Sequence, residues 1–458
     1  MKTFPLLRSG KDSRRASLRP NSFPGLFWHI LNKINYMNKT IPNASKTILD
    51  NGLRLICEEI PAVRSVCLGI LIGTGSGNEE KSESGLSHFI EHMSFRGTSK
   101  RSAYDIAHAL DTVGGKINAF TSKEVTVFYC VVLDQHVPIA IDILSDILLN
   151  SLYDEKFLTL EKQVVLEEIK MYEDTPNEQV HDFFDEKILR GHPIGRPTIG
   201  LAKTVSSFKR SNILEFQKKW YQPNNAIVSI AGATSPDIIK QLSQAFGRWQ
   251  GQTSLPPLQL PEIKGSLNLR QKKTEQVHLC LGVKGVSQVD GERYTYAVLD
   301  NILGGSMSSH LFQEIREKRG LAYSIYSTSS PFRNFGVAYV YAGTSKDNMA
   351  QVVDLILSEF RRLKKNGITA AELERAKEFI KGTLVLGLES TSSRMSWLAK
   401  SEFYHNRVTT VDDIFAKVDK VTQEDILHIA DKFFRDEYLT LAVIGDMKKL
   451  PIKSLSCN

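Results

Sequence analysis

The spacing of apolar positions along the chain switches between a period of two and a period near 3.6, so strands and helices are mixed throughout. Residues 47–50 and 53–57 flank the turn Asp50-Asn51-Gly52 and predict a β-hairpin, with ordered chain beginning near residue 47. Residues 66–72 form a short apolar run stopped by Gly73-Thr74-Gly75, a further strand. Helical spacing follows over 84–95 and over 104–113, the second ending at the pair Gly114-Gly115. Residues 125–132 are apolar without alternation, which predicts a strand buried on both faces; 140–149 and 155–172 are amphipathic helices. Residues 249–274 hold Pro256, Pro257, Pro261, Gly251 and Gly265 with little periodicity and read as a linker.

Beyond that linker the order of elements repeats. The strand at 337–341 follows the one at 125–131 by about 212 residues, and 353–356 follows 141–144 by the same interval. Leu373-Glu374 falls where Leu160-Glu161 falls in the first half. Leu299 to Gly305 echoes Leu110 to Gly115 at a shorter interval, which implies an insertion of about 22 residues after the second glycine pair. A long-period repeat predicts two homologous halves, each mixing strands and helices. The expected division is a basic extension over 1–44, a first domain over 45–248, the linker, and a second domain over 275–458.

Charge and cysteine change this picture only at the margins. Residues 1–40 carry eight Lys/Arg against one acid and so account for the whole net charge of +7. The remaining chain is balanced, which gives no support for a nucleic-acid-binding body. The extension is Arg- and Ser-bearing and poor in acids; it reads as a mitochondrial targeting peptide or as a basic leader upstream of a start at Met37. Five cysteines, none in a C-x-x-C, suit buried or free thiols in a reducing compartment. No apolar run approaches the ~20 residues of a membrane span.

The chemistry is concentrated in His88-Phe89-Ile90-Glu91-His92. On a helix, His88 and His92 stack on one face with Cβ atoms ~5–6 Å apart and can present two imidazoles to one ion. Glu91 points about 100° away from His92, toward the open side of such an ion, and is better cast as a base than as a ligand. A catalytic zinc takes a third protein ligand and keeps one position for water. The helix over 155–172 offers Glu161, Glu167, Glu168 and Glu173. Glu161 and Glu168 are two turns apart and share a face. Glu168 is the expected third ligand; Glu161 is expected to orient a ligand or to act as an acid near the water. Serine hydrolysis and phosphate binding are not supported, since G-x-S-x-G is missing and Gly304-Gly305-Ser306-Met307 lacks the P-loop lysine.

The motif H-x-x-E-H, set in Gly85-Leu86-Ser87-His88-Phe89-Ile90-Glu91-His92-Met93-Ser94-Phe95-Arg96-Gly97-Thr98, closely resembles the pitrilysin-type (inverted zincin) peptidases. The branch is that of the mitochondrial processing peptidase β subunit and its bacterial homologues. The likeness extends over 117–122 and 165–169 and over the two-half layout. It implies an α+β fold of two homologous halves, each a mostly antiparallel sheet flanked by helices, enclosing a central chamber. It implies one zinc ion per chain on His88, His92 and Glu168, with Glu91 activating water and Glu161 assisting. It further implies that Asn118 and Ala119 lie on a strand edge that receives the substrate peptide, and that Arg316 and Tyr323 face the active site from the second half. Read as residues alone, Arg316 and Tyr323 are either oxyanion donors or a surface arginine and a core tyrosine. The expected activity is a zinc endopeptidase acting on peptides or unfolded segments, working as a homodimer or beside a related subunit. A non-catalytic structural subunit of the same family is the alternative. Residues 168–176 resemble bacterial members, which favours a bacterial cytoplasm over a mitochondrial matrix.

Overall fold

The computed structural model describes residues 44–254 and 259–458; the basic extension, the expected targeting peptide and the start at Met37 lie outside the described residues. The first half runs β1 (Ala44–Ile48), β2 (Arg54–Glu59), β3 (Ser65–Ile72), α1 (Leu86–Ser94), α2 (Ala103–Asp111), β4 (Lys116–Thr121), β5 (Thr126–Leu133) and α3 (Val137–Leu149). It continues with α4 (Glu155–Glu173), α5 (Pro176–Ile188), α6 (Ala202–Ser207), α7 (Arg210–Trp220), β6 (Ala226–Gly232) and α8 (Ile238–Phe246). The second half runs β7 (Ser266–Gln271), β8 (Val277–Gly285), α9 (Arg293–Leu303), a short wide-wound helical turn (Phe312–Glu317), β9 (Ala322–Pro331) and β10 (Gly336–Thr344). Then come α10 (Met349–Asn366), α11 (Ala370–Gly387), α12 (Thr391–His405), α13 (Val411–Asp419), α14 (Gln423–Phe433) and β11 (Thr440–Gly445).

Two sheets result, ordered β1-β2-β6-β3-β5-β4 and β7-β11-β8-β10-β9. In each, one pair is parallel (β2 with β6, β7 with β11) and the rest antiparallel. The α+β class with two related, mostly antiparallel sheets therefore holds. The helices of each half cover one face of their own sheet: Val66, Leu68, Ile70 and Ile72 of β3 point into the first core, and Leu279, Leu281 and Val283 of β8 into the second.

The other face of each sheet is covered by a helix from the opposite half. Met395, Leu398, Ala399 and Phe403 of α12 pack on Ile56, Cys67, Leu71, Val127 and Ile227 of the first sheet. Val180, Phe183, Phe184 and Ile188 of α5 pack on Cys280, Val337, Tyr341, Ala442 and Ile444 of the second. Burial on both faces is why residues 125–132 carry no alternation. The close approach needs glycine at matching places: a Cβ on Gly69 of β3 would fall on the Met395 sulfur, and one on Gly282 of β8 on the Phe184 ring. Buried Glu402 of α12 is tied to Lys46 at 2.7 Å and to Arg54 at 3.5 Å, which binds the exchange electrostatically as well.

Two expectations are revised. β7 lies inside the segment read as a linker; as a half-exposed edge strand it lacks the apolar density that marks its neighbours. Gly304-Gly305 ends α9, the first helix after β8, and so matches the end of α1 rather than Gly114-Gly115 after α2. The counterpart of Gly114 (φ +64°) is Gly320 (φ +62°), each two residues before an outer strand, β4 or β9. No insertion of 22 residues is required. Glycine pairs close helices of many kinds, so the pair alone does not say which helix it closes.

The helix exchange makes a stability prediction. Gly69→Val should lower the thermal midpoint, with an overpacking cost of about 1–3 kcal/mol. Adding Met395→Ala should recover part of that loss, because the two side chains compete for one space. Losses that simply add in the double variant, measured by thermal or urea unfolding, would show that β3 and α12 do not meet as described.

Candidate metal centre

α1 begins at Gly85, whose φ of +94° suits glycine and whose Cβ, if present, would meet the Gly200 Cα at 2.7 Å. The first turn is anchored by Glu79. Its carboxylate, 2% exposed, accepts the Gly85 N–H at 2.8 Å and the Ser87 N–H at 2.7 Å, satisfying donors that a helix start leaves unpaired. Burial pushes the Glu79 carboxyl up to about 7 against the pull of those donors. Leu86, Phe89, Ile90 and Met93 point into the first core, which leaves His88, Glu91 and His92 half-buried on the opposite side. α4 starts at the Asp154 cap and buries Leu158, Glu161, Val165 and Ile169, so its apolar stripe seats it beside α1 with Glu161 and Glu168 toward the histidines.

The three expected ligands converge. One donor atom from each of His88, His92 and Glu168 lies within 4.8 Å of the other two. Glu168 Oε2 is 3.6 Å from His92 Nε2 and 3.9 Å from His88 Nε2, and the imidazole centroids are 4.6 Å apart. His92 Nδ1 lies 3.1 Å from Glu161 Oε2. With the Nδ1 proton donated to that carboxylate, His92 Nε2 presents its lone pair inward. Glu161 is buried and its other oxygen pairs with Arg96, one turn past His92. Glu91 is held apart from this group: its Oε2 accepts the Thr121 hydroxyl at 2.6 Å, from β4. Exposed Glu167 pairs with Lys170 at 2.7 Å, away from the centre.

Electrostatics separate the roles. Burial, and then the neighbouring His92, take the His88 imidazole down to about 4, so it is neutral and able to ligate at neutral pH. Burial also pulls His92 down, but its hydrogen bond to Glu161 and the charges of Glu168, Glu161 and Glu91 outweigh that and raise it. Burial raises the Glu91 carboxyl despite the Thr121 hydrogen bond, which moves it toward the range of a working base.

These residues fit a zinc ion by geometry and by charge. Tetrahedral bonds of about 2.1 Å place ligand atoms about 3.4 Å apart, close to the 3.6 and 3.9 Å measured here. Three carboxylates crowd two imidazoles, and a divalent cation is the simplest group that relieves their mutual repulsion.

The remaining expected site residues fall in two places. Exposed Asn118 and half-buried Ala119 lie on β4, the outer strand of the first sheet, whose far edge is free of strand partners among the described residues. The Asn118 side-chain oxygen accepts the Ala119 N–H at 2.8 Å, occupying a donor that no neighbouring strand takes. Arg316 lies in the wide-wound turn and Tyr323 at the start of β9; the guanidinium sits 5.8 Å from the Tyr323 ring. Tyr323 is 77% exposed, which removes the core-tyrosine reading. Among the described residues neither makes a polar contact with the His88–His92–Glu168 group. Sequence reasoning missed Glu79, Arg96 and Thr121, whose roles depend on contacts made across the fold; the one local hint was Arg96, a single turn beyond His92. Of the other histidines, His310 lies between Glu359 and Glu372 at 2.6 Å each, and His181 packs against Tyr339 and Tyr341.

Comparison with known proteins follows the same outline. Residues 54–201 match the family described as insulinase (peptidase family M16), and residues 207–380 match the peptidase M16 inactive domain. An uncharacterized zinc protease of Bacillus subtilis is 42% identical over 402 residues, covering 88% of this chain and 98% of its own length. An uncharacterized zinc protease of Streptomyces coelicolor is 39% identical over 419 residues, covering 89% of this chain and 91% of its own. The crystal structure of a protease from Helicobacter pylori shares the fold with a TM-score of 0.81 at 21% identity, over 88% of this chain and 99% of that one. With both halves matched in order and relatives aligned over nearly their full length, the chain belongs to peptidase family M16, the pitrilysin-type or insulinase family of zinc proteases.

Proposed function

We propose that this chain is a zinc-dependent endopeptidase, a reading carried by the convergence of His88, His92 and Glu168 within 4.8 Å beside a buried, separately tethered Glu91. A zinc ion bound there would supply a Lewis acid for a peptide carbonyl and would lower the pKa of a coordinated water toward ~7. The protein's own residues then have distinct tasks. Glu91 takes the proton of the attacking water and returns it to the leaving amine; Thr121 fixes one of its oxygens so that the other is aimed. Glu161 touches His92 rather than substrate, so it is a positioning residue that fixes the ring tautomer, with Arg96 holding it ionised.

Substrate would add to the free edge of β4 as an extended strand, taking the Ala119 N–H in place of the Asn118 side chain. Arg316 and Tyr323 would supply donors to the bound peptide from the second half. An extended strand is the form in which flexible peptides and unfolded segments bind, so those are the proposed substrates. The bacterial relatives favour a bacterial cytoplasm as the place of action, and a homodimer, or a dimer with a related subunit, remains the proposed assembly. The M16 C-terminal domain is described as inactive, in keeping with a second half that supports the site but lacks H-x-x-E-H.

Two predictions follow from this assignment. Glu91→Gln should keep one zinc per chain by elemental analysis yet lose peptide cleavage by a factor of about 10²–10⁴. Chelation should abolish wild-type cleavage and added zinc restore it; a wild-type protein that holds zinc but cleaves nothing would instead be the non-catalytic subunit.

Glu161→Gln should weaken zinc affinity about 10–100-fold while leaving the fold intact, as read by competition with a zinc indicator. Unchanged affinity would mean that Glu161 does not hold His92 in its ligating form.

A further inference from the structure

A groove of about 480 Å³ opens on the face of the first sheet opposite the metal helix. Phe120 of β4 and Tyr129 of β5 form its floor; Leu384 and Leu388 at the end of α11 and Trp397 of α12 form its walls, with Lys400 at the rim. α12 covers β3 and β6 but stops short of β4, so this part of the sheet stays uncovered up to its free edge.

We infer that this groove takes a large apolar side chain of the substrate peptide. The inference rests on the peptidase reading and on the alternation of side chains in a strand. Thr121 points to the α1 side, where it holds Glu91, and Ile117 and Ala119 pack on that same side. Asn118 and Phe120 therefore point the other way, toward the groove. A peptide paired with β4 obeys the same rule: its residues opposite Ala119 and Thr121 face the metal helix, and those opposite Asn118 and Phe120 face the groove. The two residues flanking a cleaved bond are neighbours, so one of them points into the groove. Its surroundings there are a phenyl ring, a phenol ring, an indole and two leucines, which reward a Leu, Phe or Tyr side chain over a small or acidic one. The second half thus contributes to selectivity through α11 and α12, separately from Arg316 and Tyr323.

The test uses the full-length zinc-loaded protein and quenched peptides of one sequence, varied to Leu, Phe, Ala, Ser or Asp on each side of a bond located by mass spectrometry. At one flanking position the wild type should favour Leu or Phe over Ala or Asp by about tenfold or more in kcat/KM. Trp397→Ala, which enlarges the groove, and Thr383→Trp, which fills it from an exposed site on α11, should each change that preference severalfold at that position and leave the other position alone. Circular dichroism and zinc content show that both variants are folded and loaded. A side-chain profile unchanged in both variants overturns the inference while the peptidase reading stands. So does a change of oligomeric state with the profile intact, since the groove would then be a contact between copies. Zinc-loaded wild type that cleaves none of the peptides overturns the peptidase reading first, and this inference with it.

Discussion

The contact of α1 with α4 is the constraint on which the site depends. Two ligands come from one helix and the third from another, 69 residues of chain beyond the nearer His–Glu hydrogen bond partner. Their spacing is therefore set by helix packing, not by local sequence. The buried pair His92–Glu161, completed by Arg96, fixes the rotation of one helix against the other. Polar groups in a buried contact have few satisfactory arrangements, whereas apolar ones tolerate sliding. Glu79 performs a related task at the helix start, where it takes the donors of Gly85 and Ser87 and so sets where the motif begins.

Around that contact, the exchange of helices makes the two halves mechanically dependent. α5 leaves the metal helix α4 directly and lands on the second sheet; α12 returns the favour on the first. A displacement of one sheet must be felt by the helix that lies on it and belongs to the other. Gly69 and Gly282 occupy matching places in β3 and β8, and each clears room for a side chain from the opposite half. The repeat is thus visible in packing as well as in element order, and it binds the halves instead of merely duplicating them.

Much of this was legible in the sequence because the signals are local. The Asp50-Asn51-Gly52 hairpin, the helix over His88 to His92, and the glutamates two turns apart in α4 are set by neighbours within a few residues. What the sequence hid is set by partners far along the chain. Residues 125–132 announced burial on both faces but not that α12 supplies the second cover. Thr121 was noticed within its strand, yet its hydroxyl has a role only because β4 passes beside Glu91. Edge strand β7 was lost among prolines and glycines, since a strand with one neighbour needs little apolar pattern. Gly304-Gly305 misled the alignment of the repeat because a helix end looks alike whichever helix it closes.

The comparison of the halves also explains why one scaffold carries the metal site only once. α9 follows β8 as α1 follows β3, but it contains no histidine. Lys381 of α11 stands about 213 residues on from Glu168, the interval of the repeat in that helix, and there it pairs with Glu378 at 3.0 Å and Asp419 at 2.5 Å. A cation already occupies the position from which the third ligand would come. Other parts of the scaffold were kept: buried Asp146 of α3 binds Thr98 and Arg101, and Glu359 of the corresponding α10 binds His310 and Arg362. These acids both tie the loop after a helix to the layer beneath it. The cluster at His310 is thereby placed as a brace of the fold, and the chemistry is confined to the half where helix packing leaves its carboxylates without a protein cation.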